Sequence, residues 1–119
     1  MDTRSKILTL EAAARLAGPV TLAAGYFDVL RVEHARELAT LRQPLLVVVL
    51  ERNAAMLAAA ARAEMVAALR VVDYVVIADY ADVDGLIERL QPREVARLET
   101  ADLSRTRRLI EDVQRNQKQ

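Results

Sequence analysis

Residues 45–50 read Leu-Leu-Val-Val-Val-Leu, six branched aliphatic side chains with no polar residue among them. A strand with one wet face alternates apolar and polar residues, and this run does not. It is also far too short to cross a bilayer. A segment of this kind needs cover on both faces, which in a small domain means a parallel strand between two layers of helix. Residues on either side fit that demand. Val32 to Arg42 places Val32, Ala35, Leu38, Ala39 and Leu41 on one side of a helix, and Pro44 ends it. After the run, Asn53 is placed to cap a long Ala-rich helix reaching about Arg70.

The alternation continues in both directions. Thr9 can cap a short helix, Leu10 to Ala17, stopped by Gly18-Pro19, and Val20 to Ala24 then forms a first strand ending at Gly25. Tyr74 to Ala78 reads as a third strand, with Asp82 capping a helix from Val83 to Leu90. Pro92 breaks that helix, Val95 to Leu98 is a short fourth strand, and Leu103 to Gln114 is an amphipathic last helix. The expected architecture is α/β: a Rossmann-like three-layer sandwich, with a short parallel sheet flanked by helices. Right-handed crossovers put the loops at the strand C-terminal ends on one edge, where open α/β sheets bind ligands. The segments Gly25 to His34, Glu51 to Asn53, Ala78 to Asp82 and Glu99 to Thr106 fall there.

At 119 residues the chain is read as one domain, 1–119. Only 3% of residues are aromatic against 53% hydrophobic, so the core is built from Ala, Val, Leu and Ile. Lys plus Arg balances Asp plus Glu at 17 each, which argues against a general nucleic-acid or membrane-surface role, since both need a positive field. The chain has no cysteine, which rules out disulfides and thiolate metal sites, and a single histidine rules out His-cluster metal sites and Cys/His nucleophiles. No signal-like apolar stretch opens the chain, and the expected location is cytoplasmic. Neither a P-loop nor a G-x-G-x-x-G is present.

One segment carries more specific information. Ala24-Gly25-Tyr26-Phe27-Asp28-Val29-Leu30-Arg31-Val32-Glu33-His34 resembles the G-x-F-D-x-x-H-x-G-H pattern after the first strand of cytidylyltransferases and sugar-phosphate adenylyltransferases. Gly25, Phe27, Asp28 and His34 match, while Arg31 stands at the first His and Glu33 at the Gly of HxGH. Arg62-Ala63-Glu64-Met65-Val66-Ala67-Ala68-Leu69 followed by Val72-Asp73-Tyr74-Val75-Val76 resembles that superfamily's helix-to-strand segment. Leu103-Ser104-Arg105-Thr106 resembles the late I-S-S-T or L-S-T-T motif, and Lys6-Ile7-Leu8 the lead-in of the sugar-phosphate branch. The likeness spans nearly the whole chain in matching order.

The resemblance implies a nucleotidyltransferase: a substrate phosphate attacks the α-phosphorus of a nucleoside triphosphate, and pyrophosphate leaves. Such a protein positions anions and neutralises developing charge without a covalent intermediate. It implies Mg²⁺ arriving with the nucleoside triphosphate, and a small phosphorylated sugar or alcohol as acceptor. His34 and Arg31 would be the catalytic pair. Gly25, Tyr26, Phe27, Asp28, Ser104 and Thr106 would line the nucleotide and phosphate site, and a homodimer is implied.

Each of these residues has a plainer reading beside it. His34 can be a surface or capping histidine, and Phe27 a core anchor for its loop. Asp28 can cap the turn, and Ser104 and Thr106 can cap the last helix. Met56 and Met65 are core or dimer-facing. Arg31 keeps positive charge and can hold phosphate bidentately. Glu33 is the larger departure: a carboxylate about 6 Å from a phosphate charge costs roughly 3 kcal/mol at an effective dielectric of about 20, unless Arg31 or Mg²⁺ offsets it. The sugar-phosphate branch also carries a phosphate-binding lysine loop, whereas no lysine lies between Lys6 and Lys118. Two functions therefore stay open on the residues: a working nucleotidyltransferase, or a catalytically degenerate nucleotide-binding or protein-interaction module of the same fold.

Overall fold

A computed structural model describes residues 2–27, 32–51 and 58–98 of the chain. It contains five strands: β1 (Ile7–Leu8), β2 (Thr21–Gly25), β3 (Leu45–Leu50), β4 (Tyr74–Ala78) and β5 (Glu94–Arg97). Four α-helices alternate with them: α1 (Leu10–Ala14), α2 (Val32–Ala39), α3 (Ala59–Ala67) and α4 (Tyr80–Leu90). The strands form one sheet in the order β1-β4-β3-β2-β5, and every pairing is parallel. This is the Rossmann-like three-layer sandwich expected from the sequence.

β3 lies at the centre and all six of its residues are buried. Its alternate side chains build two separate cores, because successive residues of a strand point to opposite faces. Leu45, Val47 and Val49 join Ala23, Val75, Leu38 of α2 and Ala63, Val66 and Ala67 of α3. Leu46, Val48 and Leu50 join Leu22, Ala24, Val76, Ala13 of α1 and Val83 and Leu86 of α4. The topology accounts for this division. The chain moves β2 to β3 to β4 in one direction, so right-handed crossovers put α2 and α3 on one face. The passages β1 to β2 and β4 to β5 run the other way and put α1 and α4 on the other.

Several boundaries differ from the sequence reading. β3 and β4 lie where expected, but α1 stops at Ala14 and α2 at Ala39, short of Ala17 and Arg42. Thr9 does cap α1, its hydroxyl accepting from Ala12 N–H at 3.1 Å. α4 begins three residues early, with Asp79 at its N-cap; Asp82 lies inside the first turn and accepts from Asp79 N–H at 3.3 Å. α3 begins at Ala59, and Asn53 lies outside the described residues. The sequence reading missed β1 altogether. Its two residues pair with Val75 and Val76 at the sheet margin, and nothing so short leaves a periodic signal. The helix expected over 103–114 lies outside the described residues.

Candidate functional site

The strand order reverses between β2 and β5: from β2 the chain builds outward through β3 and β4, then returns to the other side of β2. Crevices at such switch points, beyond the strand C-terminal ends, are where doubly wound sheets take ligands. Gly25 is the last residue of β2 and is buried there.

Tyr26 and Phe27 turn the chain away from the strand end and straddle the sheet. Tyr26 packs against the α1/α4 core and Phe27 belongs to the α2/α3 core, only 1% exposed. Phe27 adopts φ +53°, a left-handed conformation uncommon for a residue with a side chain. Burial of the ring in the core holds it in place. The anchoring role expected of Phe27 is thus observed.

His34 lies in the first turn of α2 and is 2% exposed. Its ring centroid lies 5.5 Å from that of Phe27 with the planes at 57°, a tilted aromatic contact. His34 is therefore beside the C-terminal end of β2, as the motif requires, but its side chain is closed to solvent. It is neither a surface nor an exposed capping histidine. Glu33, its neighbour, is exposed. Arg31, Asp28, Ser104 and Thr106 lie outside the described residues, as does Met56; Met65 is 40% exposed on α3.

Sequence reasoning gave no role to the most unusual polar group at this edge. Arg62, in the first turn of α3, is 1% exposed. Its Nη1 donates to the carbonyl oxygens of Tyr26 and Leu50, both at 2.7 Å. One guanidinium thus joins the segment after β2 to the last residue of β3. Arg62 precedes Val66 by one turn on the sheet-facing side of α3, so its position in a helical pattern was available; an arginine at a core-facing position was the signal.

The opposite edge of the sheet is held by a different set of side chains. Asp73 accepts from Leu45 N–H at 2.8 Å, and Gln43 donates to Val71 O at 3.1 Å. Arg93 donates to Gln43 O at 2.8 Å, and Lys6 to Leu69 O at 3.2 Å.

Among the described residues no group of three or more His, Asp or Glu side chains could hold a metal ion. A Mg²⁺ ion at this edge would be held by phosphate oxygens and water, as that ion commonly is, with no cage from the described side chains. A groove of about 260 Å³ does exist elsewhere, between α1 and α4, lined by Leu10, Glu11, Ala14, Asp82, Gly85 and Arg89 among others. It contains none of the residues expected from the motif. No helix among the described residues is long and apolar enough to cross a membrane.

No family model and no curated protein sequence matches the chain. Among solved structures it is similar to the lipopolysaccharide core biosynthesis protein of Thermoplasma volcanium GSS1, with a TM-score of 0.57 and 22% sequence identity over 65% of this chain and 71% of that one. At that identity the likeness is one of fold: an open, parallel α/β sheet with helices on both faces.

Proposed function

We propose that the chain is a nucleotidyltransferase-like protein that holds the polyphosphate of a nucleoside triphosphate, with its Mg²⁺, at the C-terminal edge beside β2. The observation that carries this reading is the placement of Gly25-Tyr26-Phe27 and His34 together at the switch-point end of an all-parallel sheet. CMP or AMP would pass to a small phosphorylated sugar or alcohol as pyrophosphate leaves. Arg31 and His34 would neutralise charge on the transferring phosphates, Asp28 would order the turn, and Ser104 and Thr106 would supply hydroxyl donors. Exposure of Glu33 favours this reading, since an exposed carboxylate need not fill the phosphate hollow. Likeness in fold to a lipopolysaccharide core biosynthesis protein is in keeping with a biosynthetic role. The reading extends to a cytoplasmic homodimer, for which exposed Val32 of α2 and Met65 of α3 offer apolar surface.

A second reading rests on a specific observation. His34 is buried against Phe27, where it serves packing. If that is its whole role, the chain is a degenerate member of the same fold, binding nucleotide without turning it over. Pyrophosphate release with CTP or ATP and a panel of sugar and polyol phosphates separates the two. The transferase reading expects release by the wild type and its loss in His34→Ala, with the variant's fold verified by circular dichroism. Release only after the double change Arg31→His, Glu33→Gly would establish the degenerate reading. Absence of thermal stabilisation by any triphosphate at millimolar concentration would remove both.

A further inference from the structure

A parallel sheet ends, at its C-terminal edge, in backbone carbonyls that have run out of ladder partners. Carbonyl oxygens carry partial negative charge, so an edge that displays them repels the phosphate it is supposed to receive. The described structure shows where four of these oxygens go. Ala24 O accepts from Leu98 N–H at 2.7 Å and Ala78 O from Glu51 N–H at 3.1 Å, both through backbone continuing from the adjacent strand. The other two, Tyr26 O and Leu50 O, turn to the single nitrogen Nη1 of Arg62.

We propose that Arg62 is the positioning residue of this edge: it draws the Tyr26 and Leu50 carbonyl oxygens inward, away from an approaching anion, so that polyphosphate binding beside β2 depends on it. This inference rests on the polyphosphate-binding reading above. A buried arginine is a costly way to satisfy two acceptors, and burying charge is tolerated only with good hydrogen-bonding partners such as these two carbonyl oxygens. Its cation also does what a backbone N–H cannot: it withdraws electron density from two oxygens at once, at the point where Phe27 takes its left-handed turn. Arg62 itself, 1% exposed, is not placed to touch the ligand. It acts through the backbone of Tyr26 and Leu50.

The test titrates inorganic pyrophosphate by calorimetry into the wild-type chain and into Arg62→Met, Arg62→Lys and Asp73→Ala, with melting temperatures measured alongside. Arg62→Met should weaken pyrophosphate binding about tenfold or more, the equivalent of one lost charge-assisted hydrogen bond. Arg62→Lys, which keeps a cationic donor but not the fork, should weaken it about threefold. Asp73→Ala removes a half-buried contact at the far edge and should lower the melting temperature while leaving pyrophosphate affinity unchanged. Unchanged affinity in a folded Arg62→Met overturns the inference and leaves the polyphosphate site standing. So does an Asp73→Ala variant that loses as much affinity as Arg62→Met, because the loss then follows stability. Should Arg62→Met not fold, Arg62→Lys decides, and an affinity equal to wild type counts against the proposal. If the wild type binds neither pyrophosphate nor CTP nor ATP, the binding reading falls and takes this inference with it.

Discussion

At the N-terminal end of the sheet, long polar side chains reach across the turns and bind backbone groups 28 to 63 residues away in sequence: Gln43 to Val71, Asp73 to Leu45, Arg93 to Gln43, Lys6 to Leu69. At the C-terminal end, Arg62 ties the segment after β2 to β3, with its bond to Leu50 fully buried and that to Tyr26 partly so. One end spreads its hold over several partly exposed bonds. At the other, among the described residues, one buried guanidinium binds two carbonyl oxygens beneath a turn. Losing a buried, charged contact costs more than losing a partly exposed one.

Substitutions at each end would break or sharpen that contrast. The largest effect belongs to Arg62→Met, which leaves two carbonyl oxygens without their donor and should lower stability by about 3–5 kcal/mol in urea denaturation. That is a large share of the roughly 5–15 kcal/mol available to a domain. Asp73→Ala, which frees the buried Leu45 N–H, should cost about 2 kcal/mol by the same measurement. Arg93→Ala should cost about 1 kcal/mol or less, since its contact to Gln43 is exposed and that to Thr21 is long at 3.5 Å. If Arg93→Ala matched Arg62→Met, the contrast between the ends would fail. The smallest change is expected at neither end: Gly85 lies within α4 with open space where a Cβ would sit, so Gly85→Ala should raise the melting temperature slightly, by a gain of about 0.5–1 kcal/mol.

The parts of this fold that were legible in the sequence share a physical reason. The bounds of β3 and β4 are legible to the residue because each is a continuous apolar run, wholly aliphatic in β3 and opened by Tyr74 in β4. Thr9 was read as a cap because its hydroxyl is followed at once by helix formers. What was not legible is equally instructive. The sequence points to Asp82 as the cap of α4, whereas Asp79 occupies that position; two aspartates three residues apart both suit a helix start, and only tertiary position chooses. β1 left no trace because two residues have no period. At the candidate site, Gly25, Phe27 and His34 lie beside the strand end, but the buried contact of His34 with Phe27 across the turn is something no linear pattern encodes. Arg62 was passed over for a related reason. Arginines on helices normally face water, and the pattern gives no warning when two carbonyls from distant strands converge on one.

The sheet's margins have a further consequence. Among the described residues, β1 contributes two residues on one side and β5 four on the other, with Glu94 and Arg97 exposed at the ends of β5. Arg97 is also engaged sideways, 3.6 Å from Asp84 and over the Tyr80 ring. At the β5 border a neighbouring molecule seeking to extend the described ladder would meet a short strand with charged residues at both ends, which discourages intermolecular strand addition. A protein whose interior is so rich in valine and leucine has reason to keep such borders, for its central segment would be a dangerous template if it ever reached the rim.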